Sequence, residues 1–315
     1  MKKTLILFLF LSLFLIGSVL AEEFNQTIID NTCVSVPAMA YDKVRNITHT
    51  VWSEGNVLIY SNSTSNLTEK TNISNNYTNY NNPVLRLDSN GMPHLAFNAY
   101  AGSPYWKTFY TNSNGWIIRD TGIGNNEEEI DLEIDHSDKL YIAGQKTNLN
   151  TGDDSNIHIL SSTDFINFND KEIVKPGIQI NPKLAVSSNN NISLIFFDWS
   201  DGVINGVGQY KTRYRSSSDN FVSEQNISNA TQSFGADISI DSDDEVWVSF
   251  KDTTYSEQGF DKGDVFLAKK SDNWNKERVT SDSIDFMQDR PVSMAVGKNK
   301  VKHLVWTEWR NQTDV

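Results

Sequence analysis

A short apolar stretch, a polar turn and a second apolar stretch with a bulky centre recur along this chain. One copy runs Val84-Leu85-Arg86-Leu87, then Asp88-Ser89-Asn90-Gly91, then His94-Leu95-Ala96-Phe97. Another is Ile238-Ser239-Ile240, Asp241-Ser242-Asp243-Asp244 and Trp247-Val248-Ser249-Phe250. A third is Lys183-Leu184-Ala185-Val186, Ser188-Asn189-Asn190 and Leu194-Ile195-Phe196. Further copies centre on Trp52, on Ala143 after Leu140-Tyr141-Ile142, and on Trp306. Alternation of apolar and polar residues within each phrase predicts strands. Asn and Gly between them tolerate positive φ, as tight turns require. No segment after the N-terminal apolar run carries a helical period.

Each phrase continues into a third strand and a polar–aromatic corner. Tyr105 to Tyr110 leads to Asn112-Ser113-Asn114-Gly115-Trp116, and Ile157 to Leu160 leads to Ser162-Thr163-Asp164-Phe165. Lys211 to Arg215 leads to Ser217-Ser218-Asp219-Asn220-Phe221, and Val265 to Ala268 to Lys270-Ser271-Asp272-Asn273-Trp274. A fourth strand follows, as in Ile117-Ile118-Arg119 or Lys276-Glu277-Arg278-Val279. The central positions 52, 97, 143, 196, 250 and 306 recur every 45 to 56 residues. Four strands in about 50 residues is the size of one β-propeller blade. The corners resemble degenerate copies of the Asp-box (BNR repeat) of sialidase-like six-bladed propellers. That resemblance runs from about residue 34 to the end. It implies a structural corner: a carboxylate or hydroxyl ties the turn, and the aromatic packs between blades.

The fold class expected is therefore all-β, a six-bladed propeller of four-stranded antiparallel blades. Five units span about 34–80, 81–126, 127–178, 179–232 and 233–284. A sixth combines 285–315 with 22–33, because Phe24 to Asp30 resembles the fourth strand Phe221 to Ser228. Closure by the N-terminal strand would leave no exposed sheet edge. The chain ends where a third strand should begin, which reads as a fragment.

Composition adds location. Lys2 and Lys3 precede an uncharged run from Leu5 to Ile16, broken by Gly17 and Ser18, with Val19-Leu20-Ala21 before Glu22. This predicts a signal peptide over 1–21, a propeller domain over 22–315, and a secreted, extracellular or cell-surface protein not inserted in the membrane after cleavage. The net charge of −13 repels nucleic acid. A lone cysteine, Cys33, excludes an internal disulfide. Glycosylation sequons begin at Asn25, Asn46, Asn62, Asn66, Asn72, Asn76, Asn191, Asn226, Asn229 and Asn311, the pattern of a glycoprotein.

Candidate chemistry sits two residues after each central position, where Glu54, Ala99, Gln145, Asp198, Asp252 and Glu308 stand. The long connections Thr147 to Asn156, Ser200 to Gln209 and Thr253 to Gly263 follow, and such loops usually carry binding. Glu54, Gln145, Asp198, Asp252 and Glu308, with Trp199 and Tyr255 to stack on a sugar, make a ligand-binding set for a glycan or a cell-surface protein. No catalytic residue and no metal ligand is assigned. Asp135-His136-Ser137-Asp138 and Asp241 to Asp244 resemble calcium loops, but turn chemistry explains them without an ion, so no cofactor is expected and Ca2+ is the alternative. His49, His94 and His303 repeat by inheritance rather than as a zinc set. The sialidase aromatic-Arg-Ile-Pro motif has Ser35 where its arginine belongs, and Asn81, Ile180 and Asp289 stand at the same offset elsewhere. Arg290 is one place off; Arg213, Arg215 and Arg310 assemble no triad. The expectation is a non-catalytic, carbohydrate-binding or adhesive propeller. The alternatives are a propeller-type glycoside hydrolase or polysaccharide lyase, and a passive surface-coat component.

Overall fold

The period-two alternation folds into antiparallel sheets that bury both faces against neighbouring sheets. The computed structural model describes residues 37–65, 67–102, 106–124, 129–147, 155–199, 203–204, 207–208, 210–228, 232–256, 259–280, 292–297 and 299–306. The chain divides into Met1–Thr32 and Cys33–Val315, and all described residues belong to the second part. The leader, Cys33, the segment 22–33 assigned to blade closure and the end of the chain from 307 therefore lie outside the described residues.

Among the described residues five sheets have four strands in consecutive order. Blade 1 comprises Ala38–Asp42, Ile47–Glu54, Val57–Asn62 and Thr71–Asn72, and blade 2 Thr78–Leu87, Pro93–Tyr100, Trp106–Asn112 and Arg119–Gly124. Blade 3 comprises Asp131–Ile134, Leu140–Thr147, Ser155–Ser162 and Asn169–Ile173. Blade 4 comprises Gln179–Val186, Ile192–Asp198, Lys211–Ser216 and Gln225–Asn226. Blade 5 comprises Gln232–Ile240, Val246–Ser256, Gly259–Lys269 and Asn275–Arg278. Ser293–Val296 and Lys302–Val305 pair as a two-stranded sheet at the place of the sixth unit. The first strand of each sheet touches the first strand of the next, from Ala38–Asp42 round to Ser293–Val296.

The core lies between sheets. The central residues Trp52, Phe97, Ala143, Phe196 and Phe250 are at most 2% exposed. Each apolar cluster joins two consecutive blades: Leu58 with Tyr80, Leu95 and Phe97, Ala96 with Leu132 and Ile142, Ile159 with Leu184 and Phe196, and Tyr214 with Val248 and Trp274. Three first strands carry a bulge at one equivalent place, with register shifts at Asn81/Val84, Ile180/Lys183 and Phe234/Asp237. The residues turning the bulge have φ of 48° at Asn82, 53° at Asn181 and 56° at Gly235, a conformation that Asn and Gly tolerate.

The corners form as the repeat requires. Leu67, Trp116, Phe165, Phe221 and Trp274 all take positive φ, between 52° and 61°. A left-handed conformation costs a non-glycine residue about 1–2 kcal/mol, so packing must offset it. It turns each aromatic back onto the preceding blade: Trp116 lies 4.8 Å from Tyr60, Phe165 4.6 Å from His94 and Trp274 5.0 Å from Tyr214. Asp164 Oδ1 accepts the Ile166 and Asn167 amides at 2.9 and 2.8 Å, which ties the turn. The same left-handed residue, Trp116, delays the fourth strand of blade 2, which begins at Arg119 rather than at the exposed Ile117.

The opposite turns also link blades. Asp88, Asp135 and Asp241 each accept two backbone amides of their own first-to-second turn. Asp138 accepts the Ser89 amide at 2.7 Å and its hydroxyl at 2.6 Å, and Asp244 takes the same pair from Ser188. The acidic turns singled out as calcium-like are thus occupied by amides and serines.

Trp274 is 7% exposed and its indole donates to Gln225 Oε1 across the blade boundary at 2.7 Å. Trp274→Ala is expected to lower the unfolding free energy by about 3–5 kcal/mol in urea titration. Gln225→Ala should cost far less, since it leaves the ring packed.

Candidate functional site

The second strands place Glu54, Gln145, Asp198 and Asp252 on separate blades, Asp252 inside a strand that runs on to Ser256, and their side chains are engaged locally. Glu54 is half-buried and pairs with Lys70 at 3.1 Å, whose ammonium also lies over the Trp52 ring. Asp252 pairs with Lys276 at 2.6 Å, while its Oδ1 is buried with no hydrogen-bond donor. Burial, only partly countered by Lys276, raises the Asp252 pKa above the ordinary carboxylate value. Tyr255 continues the strand ladder opposite Phe260, but its side chain, and all of Glu308, lie outside the described residues.

At the junction of blades 3 and 4, Gln145 is linked to Asp198 and Trp199 through Ser155 and the backbone at Ile178. Gln145 Nε2 donates to Ser155 Oγ at 2.5 Å, and Ser155 bridges to Ile178, the residue before the blade 4 inner strand. The next residue, Gln179, is the ladder partner of Asp198, and the Trp199 amide donates to the Ile178 carbonyl at 2.8 Å. Asp198 is fully buried; its Oδ2 accepts from Lys175 Nζ and from Arg213 Nε, the latter at 3.0 Å. Glu224 receives the same lysine at 2.7 Å and Arg215 at 2.9 Å. Arg213 and Arg215, weighed above as sialidase-type arginines, are thus held by Asp198 and Glu224. Gln145 Oε1 and Gln179 Oε1 are buried acceptors with no donor. Next to Asp198 in the chain, the Trp199 indole is 38% exposed and stacked on Tyr210, centroids 5.0 Å apart at 24°.

Two of the three long connections prove to be ribbons rather than loops. Val203–Ile204 pairs with Val207–Gly208, and the blade 5 hairpin keeps its ladder as far as Ser256 opposite Gly259. Residues 148–154 of the remaining connection lie outside the described residues. His49 and His94 bond the hydroxyls of Tyr60 and Tyr110 in their own blades at 2.7 and 2.6 Å. Among the described residues no three His, Cys, Asp or Glu side chains are grouped to hold a metal ion.

Sequence reasoning missed a second polar region. The inner strands of the five blades and of the two-stranded sheet line a cavity of about 610 Å³. Arg86 Nε meets Glu133 at 2.8 Å and its Nη2 lies 3.6 Å from Asp131; Lys183 meets Glu129 at 2.9 Å. Asp131 and Asp237 each cross to the next blade, accepting the Leu184 and Met294 amides at 2.7 and 2.8 Å. Burial pushes the Glu133 carboxyl up to about 7, against the pull of Arg86, and burial likewise raises Asp237. The signal was present in Glu129-Ile130-Asp131-Leu132-Glu133, where alternation sets three carboxylates on one face of an inner strand.

These sheets, stacked face to face with their first strands around one cavity, define a β-propeller. No protein-family model and no curated protein sequence matches the chain. Solved structures do match in fold. A protein of unknown function from Dyadobacter fermentans aligns at TM-score 0.54 and 10% identity over 81% of this chain and 84% of its own. An alpha-L-arabinanase of Penicillium chrysogenum, complexed with arabinobiose, aligns at 0.53 and 12% over 86% and 92%. A PL25 ulvan lyase, a polysaccharide lyase, aligns at 0.55 and 10% over 90% and 79%.

Removing Lys276 would leave Asp252 buried without its cation. Lys276→Met is expected to cost about 3 kcal/mol at pH 7. The Asp252 pKa, already raised, rises further in the variant. Its carboxyl is then neutral at pH 4, and the penalty should shrink there when urea midpoints at the two pH values are compared.

Proposed function

We propose that this chain is a carbohydrate-binding β-propeller whose ligand docks at the junction of blades 3 and 4. The observation that carries the reading is the exposed Trp199 indole, stacked on Tyr210 and next in the chain to the buried Asp198, whose ladder partner is Gln179. A sugar ring presents an apolar C–H face and a hydroxyl edge. An indole held flat by a second ring offers the first a rigid surface at little entropic cost. Buried acceptors without donors, such as Gln145 Oε1 and Gln179 Oε1, cost about 1–3 kcal/mol each, which a ligand hydroxyl could relieve.

Neighbours of the same fold that cleave arabinan and ulvan make polysaccharide the ligand class to test first. Binding is favoured over hydrolysis or elimination because Asp198 and Asp252 sit in different blades, each ion-paired with its own lysine. Neither is a free acid–base group. Secretion and display at the cell surface, with exposed sequons such as Asn72, Asn76 and Asn226 as glycan acceptors, complete the proposal.

Affinity electrophoresis through gels containing arabinan, ulvan and related polysaccharides tests it. The protein should be retarded by at least one, and Trp199→Ala should weaken retardation by about tenfold with an unchanged urea midpoint. Retardation that Trp199→Ala leaves intact, or none by any polysaccharide, overturns the reading.

A further inference from the structure

The central cavity is separate in construction from the blade 3–4 junction, and its chemistry is different. Its walls come from the inner strands of the five blades and of the two-stranded sheet and set aliphatic side chains, Met39, Val84, Ala185, Ile240, Met294 and Ala295, among a larger polar surface. Set into that wall are Arg86, Asp131, Glu133, Lys183 and Asp237, with Glu129 on the Lys183 ammonium. The charges do not balance. Both cations are spent on carboxylates, Arg86 on Glu133 and Asp131, Lys183 on Glu129. The Asp237 carboxylate accepts two backbone amides, those of Ile238 and Met294. Among the described residues, four carboxylates therefore face two cations.

The electrostatics of the two cations agree with that surplus. Burial opposes the charged forms of Arg86 and Lys183, yet the neighbouring carboxylates outweigh it and hold both pKa values above their ordinary ones. Glu133 and Asp237 are raised as well. The two acids are raised by burial, so the negative potential shows in the two cations, whose pKa values rise against their burial. An ammonium entering that space relieves it, while its hydrocarbon body meets the aliphatic wall. About 610 Å³ is the size of a small-molecule site.

We propose that the central cavity is a binding site for a small organic cation, an alkylammonium held by Glu133 and Asp237 against the aliphatic wall. A carboxylate that binds an ammonium must be ionised, so binding strengthens as pH rises through about 7, where Glu133 loses its proton. The groups that set this titration are Arg86 on the blade 2 strand, Asp131 on its own strand, Lys183 on blade 4 and Asp237 on blade 5, with His136 at the rim.

Calorimetry on the whole protein with 1,6-diaminohexane, and with 1,6-hexanediol as the uncharged match in length, tests the site at pH 6 and pH 8. The diamine should bind saturably with one site per chain, about tenfold more tightly at pH 8 than at pH 6, and the diol should not bind. Glu133→Gln should abolish the pH dependence, and Asp237→Asn should weaken the diamine by about tenfold. Asp272→Asn, which removes an exposed corner carboxylate, should change nothing. The proposal is overturned if the diamine fails to bind at pH 8, if the diol binds equally well, if affinity falls with rising pH, or if Asp272→Asn weakens binding as much as Asp237→Asn. The ligand comparison uses the unaltered protein, so it decides the matter even where a variant fails to fold. It is also independent of polysaccharide retardation, so either site can fail alone.

Discussion

Each sheet in this protein depends on the next one for its core. A four-stranded antiparallel sheet has two apolar faces when its second strand reads as nearly continuous hydrophobic residues, and neither face can meet water. Stacking sheets face to face satisfies both at once. The corner aromatics make that stacking specific: Trp116, Phe165 and Trp274 take an unfavourable backbone conformation and are held in it by Tyr60, His94 and Tyr214 of the preceding blade. The conformational cost is local, and the contact that offsets it belongs to another blade.

The same dependence runs along the inner strands. Their backbones approach closely enough for Asp131 and Asp237 to accept amides from the following blade, and for Arg86 and Lys183 to reach carboxylates on blade 3. A buried ion pair contributes little net stability against a well-packed apolar substitute. These pairs fix how consecutive blades register around the cavity and leave it negatively charged. The serine–aspartate contacts between successive first-to-second turns hold the same boundaries at one end of the strands.

At the opposite end the structure separates residues that look equivalent. Glu54 and Asp252 are engaged by a lysine of their own blade, whereas Gln145, Asp198 and Trp199 are linked across one boundary. The repeat gives every blade a polar strand end. Among the described residues, the boundary between blades 3 and 4 adds Lys175, Arg213 and Glu224 around Asp198, and the Trp199–Tyr210 pair next to it in the chain. Propeller neighbours that act on polysaccharides share this scaffold at 10–12% identity, which speaks to the stacking and not to the chemistry at any one boundary.

The sequence by itself determined the strands, their grouping in fours, the buried centres such as Phe97 and Phe250, and the corners. Those features rest on alternation and on turn residues with positive φ, which are local properties. Tertiary structure decided which polar side chains meet. Asp198, expected in the ligand-binding set, is fully buried in an ion cluster, because Lys175 and Arg213 reach it from other segments of the chain. Two supposed loops are ribbons, since backbone pairing there has little side-chain pattern to announce it. The central cavity escaped notice for a related reason. Glu129, Asp131 and Glu133 alternate visibly with Ile130 and Leu132, but alternation only says that one face is polar. That this face looks into a cavity, opposite Arg86 and Lys183, follows from bringing five blades round a common centre.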